Sequence, residues 1–528
     1  MESNTVVLAV ALACAVAIGF SHWATAKDPR EPPVVHARIP IIGHIVGFIR
    51  HGQPYLNHLS AAHPHHPIFT VDLLVAKFYV VASPALMSGV QRNHRALSFE
   101  YFINLSASGM LGIKGAGMKL LREEQKGGGG LGMKVTHAMN PALLGAGLDA
   151  MNERMIAFLK DSVDQLASSQ GSPIDLFAWT RHAITVAATE SAWGPQNPYR
   201  SPELEDAFWT METNLDKLLF GIMPKYTARK IWNARESIVK AFTSYYRNDG
   251  LASASEMAKA RWHAQQEAGA SLPDTARLEA GLGLGLLSNT VPAAFWTLFE
   301  LCSRPALLAD VRAELLKHAV HINNNNTNNG VHATIDLAQI RDKCELLVSA
   351  FQETLRTRSK AMPLRMAYDD VVLGAGDQQH LLKKGAIVNM PSPVFHRNEA
   401  IWGARSDVFD PARFVRAGRD DKDQRQAARR MTGFLAFGFA PSLCPGRHFA
   451  TGEVLALVAM LVLRFDVVPE GGGGGWNVPR VEAKSAAASF YTPAEEVRVV
   501  CKLRREYEGV EWGFGVTPGK GRFGLIVG

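Results

Sequence analysis

The chain is poor in cysteine. Its 528 residues hold five, Cys14, Cys302, Cys344, Cys444 and Cys501, too scattered to form a disulfide framework. This excludes a small disulfide-stapled fold and argues for a reducing compartment. No second Cys or His stands at C-x-x-C or H-x-x-x-H spacing near Cys444, which speaks against zinc there; His448 sits one helical turn on. A basic block is missing, as is any aromatic-rich repeat, so nucleic acid is not an expected partner. The sequence shows no internal repeat. Strong charge of one sign is absent too: a net +7 with a pI near 9.1 is mild for this length, and suits an anionic membrane or an acidic redox partner.

What is present begins with apolar residues, 47% of the chain and ample for a large core. Thr5 to Ala24 carries no charge over about the length that spans a bilayer. Lys27 and Arg30 follow this run and only Glu2 precedes it, which predicts a cytoplasmic C-terminal side. Ala24 and Ala26 would suit a cleavable signal peptide. The missing Lys or Arg ahead of the run favours an uncleaved anchor over residues 1–26. Residues 27–43, with Pro29, Pro32, Pro33 and Pro40, read as a stiff extended hinge.

The body, residues 44–528, reads as one large domain, mainly α with small β-sheets. A strand pair is predicted at Ile68–Val71 and Lys77–Val81, and Gly127–Gly130 interrupts a helical region. From about residue 135 to 317 the apolar spacing is helical. Residues 322–329 and 471–475 read as low-complexity surface loops. After Lys360 the pattern turns short and β-like, and strands are predicted again at 497–502 and 513–527.

The stretch from Phe437 to Ala450 carries the chemistry. It reads as a tight turn presenting Cys444, followed by a helix from Arg447 to Leu463. Pro445 suits a first helical turn, where its missing N–H costs nothing. The helix N-terminus beside the sulfur favours the thiolate, the form that binds metal. Gly438 and Gly446 permit turns that a side chain would obstruct, and Phe437 can shield the sulfur. Such a turn suits a single soft ligand for the iron of a haem; the bland alternative is a buried, inert cysteine.

Two further features accompany it. Glu353 and Arg356 lie at i, i+3 on one helix face, and Arg413, in a Pro-x-Arg-Phe run, is the natural third partner for a buried ion pair. Leu282–Phe299 reads as a long apolar helix, and Gly281, Gly283 and Gly285 would let a flat macrocycle approach the backbone. Pro292 should kink it.

The order Glu-x-x-Arg, Pro-x-Arg-Phe, then Phe-x-x-x-x-x-x-Cys-x-Gly resembles the cytochrome P-450 haem-thiolate monooxygenases. The stretch His396–Gly403 resembles the family too, and the anchor with its hinge resembles the microsomal branch. The resemblance covers roughly residues 35 to 510. It implies haem b with Cys444 as axial ligand and a catalytic domain over 44–528. It implies monooxygenation of a lipophilic small molecule with O2 and electrons from NADPH-cytochrome P-450 reductase, cytochrome b5 being a second candidate donor. The expected location is the endoplasmic reticulum membrane, with the catalytic domain in the cytoplasm.

Departures matter. Ala440 stands where the family usually has a second Gly. Ser442 stands where it usually has a basic residue for a haem propionate, so Arg365 becomes the candidate for that contact. Ser288-Asn289-Thr290 replaces the usual acid and threonines, leaving Asn289 and Thr290, with ordered water, as candidate catalytic residues. This run is similar to the sterol 7α- and 12α-hydroxylase and prostacyclin synthase branch, which implies a sterol, steroid or terpenoid substrate. The missing acid motivates an alternative, a haem-thiolate isomerase or dehydratase that rearranges a lipid peroxide without a reductase. A non-catalytic membrane haem protein is the third reading.

Overall fold

The computed structural model describes residues 28–39, 42–52, 54–73, 76–126, 129–169, 171–323, 331–415, 430–471, 475–482 and 488–515. The predicted anchor, residues 1–26, lies outside them, as does most of the low-complexity loop at 322–329 and of the one at 471–475.

Helices dominate, as the apolar periodicity predicts. The longest include Gly145–Ser168, Leu176–Trp193, Arg229–Arg247, Leu272–Leu287, Glu345–Arg358 and Arg447–Arg464. The last is central: every residue from Thr451 to Arg464 is buried. A helix apolar on all faces has to sit inside the core. It packs against Gly145–Ser168, Thr290–Cys302 and Glu345–Arg358, and these four build the main core cluster.

The sheets are small and peripheral. Ile68–Asp72 pairs antiparallel with Lys77–Val81, the strand pair expected from the sequence. Ile387–Asn389 then joins parallel to Lys77–Val81, followed by Leu364–Ala367 and Leu97–Ser98. Near the C-terminus, Arg498–Leu503 lies between Phe465–Pro469 and Pro173–Asp175. Val510–Gly515 pairs parallel with Val331–Asp336, which forms a hairpin with Val320–Asn323. The expected loop at 322–329 therefore begins inside a strand.

The middle of the proline-rich segment, expected to be a stiff extended hinge, is docked on the sheet rather than a free spacer. Val35 N–H donates to Thr70 O (3.0 Å) and Thr70 N–H to Pro33 O (2.8 Å). Glu31 accepts from Lys77 Nζ (2.8 Å) and Tyr79 Oη (2.6 Å). Val35 is buried in an apolar cluster with Leu56, Phe69, Val71 and Val80. Sheet contacts that complete this chain's hydrogen bonding outcompete a solvated extended form.

The long apolar helix is two helices, Leu272–Leu287 and Thr290–Cys302, parted at Ser288–Asn289. The cause is Pro292. It has no N–H for the Ser288 carbonyl, and its ring crowds the carbonyl one turn back. The break thus falls a turn ahead of the proline itself. The span 272–302 is long and apolar enough to cross a membrane, yet most of it is buried inside the fold and serves as core.

Candidate active site

The split helix and the cysteine turn face each other across a cavity of about 390 Å³. One wall is Leu282, Gly285, Leu286, Asn289, Thr290 and Ala293; the facing wall is Phe437, Gly438, Ser442, Cys444, Pro445, Gly446, Phe449 and Ala450. Arg365 with Ala361, Met362 and Pro363 closes one side, and Ser489 and Phe490 arrive from the C-terminal region. The volume lies in the range of small-molecule sites, and most lining residues are apolar.

Cys444 sits where the turn meets the helix. Gly438–Phe439 and Ser442–Leu443 form a tight antiparallel hairpin, Gly438 opposite Leu443. Gly438 has φ +78°, and a Cβ there would lie 3.1 Å from Ser442 O, so the turn requires glycine. Cys444 N–H donates to Phe437 O at 2.8 Å, which fixes the phenylalanine beside the sulfur. The helix starts at Arg447, whose Nη1 donates to Cys444 O at 3.0 Å.

Two expectations about this turn need correction. Gly446 has an ordinary φ of −81°, and a Cβ there would meet nothing within 4 Å. It leaves bare backbone on the cavity wall rather than permitting a strained turn. The thiol, moreover, is not drawn down by its surroundings alone. Burial pushes the Cys444 thiol up, against the opposing pull of the Gly446 N–H and the Arg447 charge. A metal cation would reverse that balance outright. Cys302, Cys344 and Cys501 are buried, pushed up to about 12 by burial, and line no part of the cavity; they are inert core thiols.

The three helix glycines are also not equivalent. Gly285 lines the cavity, and its missing side chain leaves open space. Gly281 instead packs against Leu111, and Gly283 against Tyr199 and Phe208, where a Cβ would lie 2.7 Å and 3.0 Å from the nearest atoms.

Asn289 and Thr290 are both on the wall, each already engaged. Asn289 Oδ1 accepts from Ser489 N–H at 2.7 Å, tying the helix break to the C-terminal segment. Thr290 Oγ1 donates to Leu286 O at 2.8 Å. Asn289 therefore presents its amide donors, and Thr290 an acceptor, to the cavity.

Arg365 is 5% exposed, donates to Leu364 O at 2.8 Å and stacks over Phe439 at 4.4 Å. Burial holds its guanidinium down to about 10. No carboxylate reaches it within ion-pair distance among the described residues. A buried cation of this kind needs an anion.

Glu353, Arg356 and Arg413 assemble as predicted, but away from the cavity. Glu353 takes Arg356 Nε and Nη2, both at 2.7 Å, and Arg413 Nε at 3.0 Å. The remaining arginine donors go to backbone carbonyls of His396, Trp402, Arg405, Ser406 and Val408. The set is a buried clamp on residues 396–413.

The sequence reasoning missed the next link. His396 is fully buried. Its Nε2 accepts from Leu435 N–H (2.9 Å) and its Nδ1 faces Arg356 O (2.9 Å). The first contact fixes the proton on Nδ1. The clamp is thereby joined to the cysteine turn two residues before Phe437. His396 stood in the family-like stretch, but nothing in the sequence announced its partners. Ser489 and Phe490 were missed as well, since no motif marks them.

These features fit a haem. Gly285 and Gly446 leave bare backbone on facing walls, where a flat group can lie. Cys444 offers one thiol ligand, and Arg365 a buried cation with no carboxylate partner among the described residues, available for a propionate. Fold and site together define a haem-thiolate protein of mainly helical architecture. The family model for cytochrome P450 matches residues 287–483. Cytochrome P450 monooxygenase nodJ of Hypoxylon pulicicidum is 40% identical, covering 99% of this chain and 99% of its own length. The 25-hydroxycholesterol 7-alpha-hydroxylase of Rattus norvegicus is 24% identical over 72% of this chain and 90% of its own. The crystal structure of the cytochrome P450DA heme domain shares the fold, with a TM-score of 0.67 at 16% identity, covering 91% of this chain and 100% of that one. The chain belongs to the cytochrome P450 family and is a monooxygenase of it. The family binds haem through a cysteine thiolate.

Proposed function

We propose that the protein hydroxylates a hydrophobic sterol, steroid or terpenoid. It would use O2 and electrons from NADPH-cytochrome P-450 reductase, with cytochrome b5 as a second candidate donor. The observation that carries this reading is a largely apolar cavity in which Cys444 is the one cysteine among the described lining residues. The name of the rat relative, a 25-hydroxycholesterol 7-alpha-hydroxylase, supports the substrate class.

In this reading Cys444 ligates the iron, Phe437 shields the sulfur, Gly438 shapes the turn, and Gly285 and Gly446 leave the slot. Arg365 holds a propionate. When bound, a thiolate-ligated haem supplies oxygen activation, the thiolate favouring O–O cleavage. The chain does the rest. Leu282, Leu286, Ala293, Phe490 and Met362 exclude water and orient an apolar substrate. Asn289 donates hydrogen bonds into the cavity, and Thr290 accepts. The uncharged run Thr5–Ala24 supports a single-pass anchor in the endoplasmic reticulum membrane, with the catalytic domain on the cytoplasmic side.

The test is a reduced carbon-monoxide difference spectrum of wild type and Cys444→Ser. Wild type gives the strongly red-shifted thiolate band and the variant loses it; a wild type without the band overturns the assignment. Incubation with sterols and terpenoids, NADPH and reductase then tests the reaction. A second reading, isomerisation of a lipid peroxide, is favoured by the absence of any carboxylate on the described lining. Product formed from a hydroperoxide without NADPH would establish it.

A further inference from the structure

One part of the cavity wall, Ser489 and Phe490, belongs to no helix or extended strand. Such a stretch has no ladder of its own, so whatever fixes it comes from its neighbours. Four hydrogen bonds do. Ser489 N–H donates to Asn289 Oδ1 at 2.7 Å, and Ser489 O accepts from Lys360 N–H at 2.8 Å. Two residues on, Tyr491 N–H donates to Arg358 O at 3.1 Å, and Tyr491 O accepts from Trp296 Nε1 at 2.7 Å. Phe490 lies between these anchors, bridges antiparallel to Ser359 and is 4% exposed.

The helix Thr290–Cys302 and its capping residue hold this strap with one face. Asn289, Ala293 and Trp296 recur at spacings of four and three residues, which brings them to the same side. Asn289 holds Ser489 and Trp296 holds Tyr491. Ala293, between the two anchors in sequence, lines the cavity together with Phe490. Trp296 is itself fixed. It is fully buried, and the Arg358 guanidinium lies over its ring, 3.8 Å from the centroid. Arg358 Nε donates in turn to Glu300 Oε1 at 3.0 Å, one turn along from Trp296. The contacts close a circuit. It runs from the indole N–H to Tyr491 O, from Tyr491 N–H to Arg358 O, and from the Arg358 guanidinium back over the indole. A cation stacked on an aromatic face out of water holds more firmly than one at the surface.

We propose that Phe490 is a specificity-determining residue, a fixed stop that sets which carbon of the substrate is oxidised, and that Trp296 is the positioning residue that keeps it in place. The proposal rests on the monooxygenase reading above. A ring pinned by the backbone on both flanks does not step aside for a bulky group. It therefore selects among the poses of a rigid, fused-ring substrate. Trp296 is not among the described lining residues and acts through Tyr491 alone.

The experiment uses the full-length holoenzyme in vesicles, as wild type, Trp296→Phe, Phe490→Leu and the double variant. Trp296→Phe keeps an aromatic ring beneath Arg358 and loses only the donor to Tyr491 O. Binding of imidazole and of 4-phenylimidazole, read from haem absorbance, needs no substrate. In each single variant 4-phenylimidazole gains roughly 5-fold over imidazole, the size expected from one buried hydrogen bond. The double variant gains no more than Phe490→Leu, because Trp296 acts through the same strap. With 25-hydroxycholesterol, NADPH and reductase, both single variants change the ratio of oxidised positions, while the carbon-monoxide band stays. An azole ratio unchanged in Phe490→Leu overturns the proposal whatever Trp296→Phe does. Effects that simply add in the double variant, or an unchanged ratio in a Trp296→Phe protein that keeps its carbon-monoxide band, remove the positioning role. A wild type that makes no NADPH-dependent product from any sterol or terpenoid sinks the monooxygenase reading and this proposal with it.

Discussion

The backbone N–H of Leu435 donates to Nε2 of His396 at 2.9 Å, and the other ring nitrogen of His396 faces Arg356 O at the same distance. One buried imidazole thus joins the Glu353–Arg356–Arg413 clamp to the start of the cysteine turn. His396→Ala leaves two buried backbone groups unpaired and a void. It is expected to cost ~2–5 kcal/mol and to lower the haem retained per mole of protein. Chemical denaturation and the carbon-monoxide spectrum read the two effects; unchanged haem content would show that the clamp and the turn are not coupled.

The same histidine gives an acid limb to stability. Burial, then the Arg356 charge, holds His396 down to about 3 from its ordinary 6.5. Below pH 6.5 the unfolded chain takes up a proton that the folded chain refuses until about pH 3. The contribution of His396 is therefore complete above 6.5 and is lost at ~1.4 kcal/mol per pH unit below it. Between about pH 7 and 5, His396→Gln should lose about 2 kcal/mol less than wild type in denaturation midpoints converted to free energy. Parallel losses in the two proteins would refute this.

Arg356→Lys is expected to fail almost as badly as Arg356→Ala. The guanidinium meets Glu353 through two nitrogens and also reaches the carbonyls of His396, Ser406 and Val408, which one ammonium cannot do. Breaking a buried pair on one side costs ~3–5 kcal/mol. Soluble, haem-loaded yield of the two variants measures it, and a lysine variant that folds normally would limit the role of Arg356 to charge.

Arg365→Leu should act with opposite signs on the two forms. Removing a buried cation that has no carboxylate partner among the described residues relieves the apoprotein, whose melting temperature stays or rises. Loss of the propionate partner weakens haem retention by roughly 10-fold, from ~1.4 kcal/mol of lost pairing, in a haem-transfer assay. Faster haem loss without apoprotein destabilisation supports the assignment; equal retention removes it.

Asn289→Ala cuts the 2.7 Å bond to Ser489 N–H. Segment 488–490 then holds the cavity wall less firmly, and substrate binding, read from the spin shift, weakens by ~1–2 kcal/mol. Asn289→Asp keeps the acceptor and should bind nearly as wild type, while Ala and Asp variants of equal affinity would deny Asn289 this tethering role.

Local chemistry was legible in the chain. The Cys444 turn, the helix from Arg447, the pairing of Glu353 with Arg356 and the strand pair at Ile68 and Lys77 follow from spacing, turn chemistry and periodicity. These act within a few residues of one another. The break at Ser288–Asn289 was half legible: Pro292 announced a kink, and its missing N–H placed it one turn earlier.

The rest depended on which distant residues meet. Gly281, Gly283 and Gly285 look alike in sequence, yet only Gly285 opens onto the cavity, because helix rotation and the neighbours Leu111 and Phe208 decide the face. The docked proline segment, the partners of His396 and the place of Ser489 behind Asn289 join residues 35 to 200 positions apart. Sequence alone determined that this chain offers one thiol at the head of a buried helix. Tertiary packing decided what surrounds it, because burial and hydrogen bonding, which shift the proton affinities of Cys444, Arg365 and His396, are properties of the packed neighbours and not of the local chain.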